Sequence, residues 1–166
     1  KNLACLPALK ERLRNEHNLE IELFVTFNDQ EWQACSDPFR NSINNVGALM
    51  LSQCPAFYAA MDGIIFPSLL ECFSAVPIEA MTMKRPLFAS NLPFIRDCCH
   101  EHASYFNPLD LASMARSIAD YFVKVDRPSR ELMLERAYAF VQRYPSPEDR
   151  ARSYVDIALG AVAGDH

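Results

Sequence analysis

Three things are missing from this sequence, and each absence excludes a class of function. No apolar run is long enough to cross a bilayer, because GALML is cut by Ser52 and Gln53 and the next run by Asp62. Basic residues are not gathered: Lys10, Arg12 and Arg14, then Lys84 and Arg85, then Arg127 and Arg130 are scattered along a chain of net charge −5. A nucleic-acid surface needs Lys and Arg clustered on one face, so no nucleic-acid partner is expected. No CxxC pair occurs among the six cysteines, Cys5, Cys35, Cys54, Cys72, Cys98 and Cys99. They form no small-scaffold disulfide framework and fit reduced thiols in a cytoplasm.

The stretch CCHEH, Cys98 to His102, does bring soft ligands together. Adjacent cysteines chelate one metal poorly, and no second ligand pair stands elsewhere at zinc-site spacing, so no metal site is expected. No signal peptide opens the sequence, and its start at Lys1 fits a piece of a longer polypeptide.

What is present reads as one soluble domain. Half of the 166 residues are hydrophobic and 22% are charged, enough for a real core. Leu6, Leu9 and Leu13 recur at helical spacing behind Pro7, which suits a first turn. IELFVTF, Ile21 to Phe27, reads as a strand ended by Asn28 and Asp29. Gln30 to Asn45 is polar and reads as a loop with at most one short element, and VGALM as a short strand. Ser52 is a candidate cap for a helix carrying Phe57 and Tyr58, and after Asp62-Gly63 the run GIIF is a buried strand.

A helix follows with Ile78, Met81 and Thr82 inward and Lys84 and Arg85 in its last turn, then the strand PLFAS, a short helix from Leu92 to Cys99 and a short strand, Ser104 to Phe106. From Asp110 the pattern is helical. Leu111, Ala115, Ile118 and Phe122 line one helix, and Leu134, Ala137, Tyr138 and Val141 a second. Ala151, Tyr154, Val155, Ala158, Leu159 and Val162 line a third, opened by Ser146-Pro147. Strands alternate with helices and are apolar without alternation. This pattern predicts an α/β fold, a doubly wound, mostly parallel sheet covered on both faces, with extra C-terminal helices.

In such sheets ligands bind beyond the carboxyl ends of the strands. FPSLLECFSAVPIEAMTMKRP, Phe66 to Pro86, lies at one of those ends and carries Glu71 and Glu79. The helix beginning between Ser74 and Pro77 turns unpaired amides toward the crevice, which suits an anion such as a diphosphate. A carboxylate beside a diphosphate is repelled, so Glu79 should meet hydroxyls, as the acidic residue of dinucleotide-binding folds does with ribose. Glu71 could do the same for a sugar hydroxyl. Phosphates between, hydroxyls on both sides: that describes a nucleotide sugar. On spacing alone the alternatives are an acidic residue favoured in a first helical turn and an exposed loop glutamate.

The stretch resembles the signature of retaining glycosyltransferases of the GT-B fold, family four, whose C-terminal domains read P-S-x-x-E-G-F-G-x-x-x-x-E-A-M-x-x-x-x-P. Pro67, Ser68, Glu71, Phe73, Glu79, Ala80, Met81 and Pro86 match. SNLPFIRDCC and SYFNPLDLASMARSI are similar to the segments that follow in the family, and Lys1-Asn2 to the site of its phosphate-binding lysine. The resemblance implies that Glu79 holds the ribose and that Glu71 is the catalytic-site residue at the donor sugar. It implies too that the amides of Cys72, Phe73 and Ser74 touch sugar and phosphates, and that Lys1 neutralises the departing diphosphate.

It further implies residues 1–166 as one nucleotide-sugar-binding domain, Rossmann-like, lacking an N-terminal acceptor domain. Residues 146–162 would form a C-terminal helix that belongs against that missing domain and, uncovered, promotes self-association. The implied reaction is retaining transfer from an NDP-sugar to an acceptor glycan or lipid in polysaccharide or glycoconjugate synthesis, without cofactor. The implied place is the cytoplasm, with the full-length protein at the inner face of the membrane as the alternative. The fragment alone is expected to bind nucleotide weakly and not to turn over.

Two departures bear on this. Cys72 and Ser74 replace the family's glycines, and Phe27-Asn28-Asp29-Gln30 replaces its glycine-rich turn. A degenerate nucleotide-binding or scaffold domain, or a nucleotide-sugar epimerase of similar fold, are the rival readings.

Overall fold

The computed structural model describes residues 1–72 and 74–163. Helix α1 (Leu6–His17) carries Pro7 in its first turn, buries Leu6, Leu9 and Leu13, and ends at Asn18, whose left-handed backbone lets its N–H reach the Leu13 carbonyl. Strand β1 (Phe24–Val25) follows, then the short helices α2 (Asp29–Gln33) and α3 (Asp37–Ser42) and strand β2 (Asn44–Asn45). Helix α4 (Cys54–Ala60) leads to strand β3 (Ile64–Phe66), α5 (Val76–Thr82) to β4 (Leu87–Ser90), and α6 (Pro93–Cys99) to β5 (Ser104–Phe106). Helices α7 (Leu111–Ala119), α8 (Arg127–Val141) and α9 (Pro147–Ala163) close the chain, with one π-helical turn, Asp120–Lys124, after α7.

All strand pairs are parallel. β1 pairs with β2, Phe24 opposite Asn44. β4 lies between β3 and β5, Ile65 opposite Phe88 and Ala89 opposite Tyr105. The single sheet expected from the alternation of elements is divided into these two ladders; among the described residues no pairing joins β1 to β3.

Helices cover both faces. On one, α1 and α7 pack together, and Leu9, Leu13, Val25, Phe88, Phe106 and Ile118 share a core that spans both ladders. On the other, Phe66, Met81, Leu87, Ala89, Ile95 and Val141 join β3 and β4 to α5, α6 and α8. Successive residues of β4 thus face opposite cores, which explains why LFAS is apolar throughout.

Several local expectations are corrected. VGALM is not a strand; the strand is Asn44–Asn45 just before it, tied to β1 by the Val46 N–H and to Glu22 by the Asn44 amide. Gln30 to Asn45 holds two helices, because Asn28 and Glu31 form a reciprocal capping box that starts α2 and Pro38 opens α3. Ser52 does not cap α4; it sits in a 3-10 turn, Leu51–Gln53, that precedes the helix. Thr82 is exposed rather than inward. Lys84 and Arg85 lie past the end of α5, where Lys84 adopts a left-handed backbone and its ammonium pairs with Glu135 on α8 at 2.6 Å.

In α9 the residues 151–160 are exposed, Tyr154 at 72% and Leu159 at 64%, and Val162 of the expected stripe lies outside the described side chains.

Candidate functional site

The turn begins where β3 ends. Pro67 and Ser68 continue the strand line and are fully buried, and residues 69–72, 74 and 75 carry no regular structure before α5 begins at Val76, within the span expected. Ser68, only 1% exposed, needs a partner for its hydroxyl, and it donates to Glu71 Oε1 at 2.9 Å. Glu79 stands in the first turn of α5, and its Oε2 accepts from the Tyr58 hydroxyl of α4 at 2.7 Å. Burial raises the pKa of the Tyr58 phenol, and the hydrogen bond to Glu79 and the negative charge there raise it further. The phenol therefore stays protonated and acts as a donor.

The two glutamates are thus tethered alike. Each has one oxygen fixed by a neutral hydroxyl, and neither takes part in a salt bridge among the described residues. A carboxylate has about four acceptor positions, so both keep capacity for donors from a ligand.

A cavity of about 470 Å³ opens beside them. Lys1, Ser68, Tyr58 and Glu79 are on its wall, together with Glu22–Phe27 of the β1 segment and Gly63–Ser68 of the β3 segment. The structure therefore brings Lys1 and Glu79 to one space and links Glu71 to it through Ser68. Cys72 is exposed and Ser74 half-buried, and neither lines the cavity among its described residues. Phe73 lies outside the described residues. A second, shallow cleft beyond the carboxyl ends of β3, β4 and β5 is lined by Leu69, Asn91, Leu92, Asn107, Pro108 and Leu109.

The departures from the resemblance acquire physical content. Among the described residues positive φ occurs at Asn2, Asn18, Lys84, His100 and Gly47 and not at Cys72, so the turn adopted here does not demand glycine at that position. The turn after β1 is committed to helix capping: the Asn28 N–H donates to Glu31 Oε2 at 3.0 Å and the Glu31 N–H to Asn28 Oδ1 at 2.9 Å. Those amides are not available for phosphate.

Cys98-Cys99-His100-Glu101-His102 ends α6. The rings of His100 and His102 pack on Phe140, with centroids 5.3 and 4.6 Å away. No three potential ligands gather there among the described residues. A hydrogen bond between the two free thiols lowers the pKa of Cys98 to about 7, while that hydrogen bond and burial push the pKa of Cys99 up.

Sequence reasoning missed Tyr58 as a site residue and named it only as a side chain of the helix after Ser52. A buried phenol needs an acceptor, and that was the available signal.

The model of a family described as glycosyl transferases group 1 matches residues 3–122. No match to a curated protein is found. Among solved structures 65 chains match. One is sucrose-phosphate synthase from Thermosynechococcus elongatus, similar over 99% of this chain and 43% of its own, with a TM-score of 0.77 and 18% identity. That similarity shows a shared fold, the GT-B glycosyltransferase fold, and the chain spans less than half the length of that protein. With the family model covering most of the sequence, including the two-glutamate turn, the chain belongs to the group 1 glycosyl transferases.

Proposed function

We propose that the chain is the donor-binding half of a retaining glycosyl transferase, holding an NDP-sugar whose sugar is passed to a glycan or lipid acceptor presented by another domain. One observation carries the reading. Glu71 and Glu79 are fixed by hydroxyls and not by cations, and each retains acceptor capacity at or next to a cavity where strands end. A carboxylate neutralised by Arg or Lys would be a poor acceptor for sugar hydroxyls; a carboxylate oriented by a hydroxyl keeps its full charge for them.

In this reading Glu79 accepts from the ribose hydroxyls and Tyr58 holds it in place. Glu71 accepts from a hydroxyl of the donor sugar close to the reacting carbon, with Ser68 as its positioning residue. Main-chain amides of Cys72, Phe73 and Ser74 meet sugar and phosphates. Transfer breaks the bond between the anomeric carbon and a diphosphate oxygen and forms one to an acceptor oxygen. Negative charge grows on the departing diphosphate, and Lys1 on the cavity wall supplies the opposing charge. Polysaccharide or glycoconjugate assembly is the setting the reading favours.

Titrating UDP, GDP and ADP into the wild type and into Glu79→Ala tests it. One nucleotide should bind the wild type weakly and the variant far less. Equal binding to both proteins refutes the role of Glu79. A scaffold that has kept the fold without chemistry is the second reading, favoured by the capping box that occupies the amides after β1, and it predicts no binding to lose.

A further inference from the structure

A second cleft lies at the other end of the sheet from the two-glutamate turn. The strands are parallel and β5 begins at Ser104, so residues 100–102 sit at the amino ends, whereas Ser68 lies past the carboxyl end of β3. The cleft, about 530 Å³ in volume, runs between the end of α6 and α8. His100, Glu101, His102, Arg136, Phe140 and Arg143 line it. Arg136, Phe140 and Arg143 follow one another at helical spacing, so they share one side of α8 and of the turn that ends it.

The two guanidinium groups have no ordinary structural task. Neither takes part in a salt bridge among the described residues. Nor does α6 need them at its end, where open carbonyls usually attract cations and repel anions. Those carbonyls are already taken. The His100 N–H donates to the Arg96 carbonyl at 2.9 Å and the His102 N–H to the Cys99 carbonyl at 2.8 Å. Two tyrosine hydroxyls complete the set: Tyr144 donates to the Cys98 carbonyl at 3.0 Å and Tyr105 to the His100 carbonyl at 2.5 Å. What the cleft offers a ligand is therefore cationic side chains and not helix-end carbonyls.

The histidines are held in place. The His102 side chain is only 13% exposed, with its ring on Phe140, and its Nε2 is 3.8 Å from Glu101 Oε1, beyond hydrogen-bond reach. His100 packs on the same ring from a backbone of φ 47 and ψ −122, a region that residues other than glycine rarely adopt. Backbone strain that its surroundings hold in place, on the wall of a cleft, marks a functional position more often than a structural one. Glu101 brings a carboxylate to this wall. Its side chain is 83% exposed, so water and salt screen its charge.

We propose that this cleft is a second binding site, separate from the donor cavity, for the phosphate group of a small phosphate ester. Arg136 and Arg143 clamp the oxyanion, because guanidinium forks match the geometry of phosphate oxygens. The ring N–H groups of His100 and His102 donate to it from the facing wall. Small-molecule sites span about 300–1,000 Å³, so a cleft of about 530 Å³ has room for the body of the ester beside its phosphate. The concave shape suits a free ester and not the flat anionic surface of a bilayer. The site does not depend on the reading of Glu71 and Glu79.

Amide NMR on the whole chain tests it, with phenyl phosphate as the probe and sodium chloride at matched ionic strength as the control. Millimolar phenyl phosphate should shift the amides of residues 100–102 and 136–143, and chloride should leave them in place. The pair Arg136→Gln and Arg143→Gln changes two exposed side chains, keeps the melting temperature and should weaken binding about ten-fold or more through the loss of charge-assisted hydrogen bonds. Glu101→Gln removes a repelling charge and should tighten binding about two-fold. Glu79→Ala should bind the probe as the wild type does, so this site and the donor site stand or fall separately. Four results overturn the proposal: equal shifts from chloride, unchanged binding by the folded double variant, shifts confined to Ser68, Glu79 and Lys1, or binding to vesicles of phosphatidylcholine and phosphatidic acid with no response to phenyl phosphate. The third would place the phosphate in the donor cavity, and the fourth would make the anion a lipid headgroup.

Discussion

Glu79→Gln isolates the claim that a carboxylate, and not merely a polar side chain, grips the donor. The two side chains have the same shape, and the Tyr58 hydroxyl can still donate to an amide oxygen in place of the carboxylate it now meets at 2.7 Å. A hydrogen bond to a charged acceptor contributes about 1.5–3 kcal/mol and a neutral one about 0.5–1.5 kcal/mol, so each donor facing Glu79 loses about 1–1.5 kcal/mol on neutralisation. Two ribose hydroxyls give a loss of about 2–3 kcal/mol, or a Kd weakened about 30- to 150-fold. Isothermal titration with whichever of UDP, GDP and ADP binds measures it.

The 2′,3′-dideoxy form of the same nucleotide supplies the control: without hydroxyls it should bind wild type and variant equally. Thermal unfolding checks that the variant keeps its fold, with a cost of about 1 kcal/mol for the weakened Tyr58 bond. If the variant, still folded, binds the parent nucleotide within two-fold of wild type, hydroxyl recognition by Glu79 is refuted. If the dideoxy nucleotide binds wild type as tightly as its parent, the ribose contact is refuted.

Gly63→Ala places a methyl 3.0 Å from a ring carbon of Phe88 and 3.3 Å from Pro86 Cγ, and should cost about 1–3 kcal/mol in urea unfolding; an unchanged midpoint would contradict the tight approach of β3 to β4. Ending the chain after Pro145 should leave the melting temperature nearly unchanged, because the side chains of 151–160 are exposed; a large drop in calorimetry would show that α9 is packed. Cys98 should be alkylated by iodoacetamide faster than Cys99, with a rate that is low in acid and rises through pH about 7 as the thiolate forms; peptide mapping that finds Cys99 modified first would reverse the assignment.

Much of the fold was legible because its longer elements repeat a pattern. The Leu6, Leu9 and Leu13 stripe, the apolar runs GIIF and LFAS and the helical faces of α7 and α8 are long enough for periodicity to speak. The region from Asp29 to Asn45 was not. Helices of five and six residues show too little of a period, and what starts them is local: the Asn28–Glu31 capping box and the Pro38 first turn. Strand β2 consists of two asparagines, which propensity disfavours and which β1 nonetheless pairs.

At the site, the position of the turn and of Glu79 at the start of α5 followed from motif and capping logic. The tethers did not. Tyr58 and Glu79 are 21 residues apart and meet only because α4 and α5 lie on the same side of β3. The division of the sheet was illegible for another reason. Alternating elements report which strands exist and in what sequence, but not which of them pair.

Ser68, Tyr58 and Glu79 contribute side chains to the cavity wall near the carboxyl end of β3, where doubly wound sheets bind ligands. Lys1, the cation proposed for the diphosphate, stands on the same wall, and the Asn2–Pro108 bond anchors the backbone beside it. Its own side chain is exposed, so part of any binding energy is spent on ordering it. Weak nucleotide binding by this chain then follows even if every contact residue in the turn is competent.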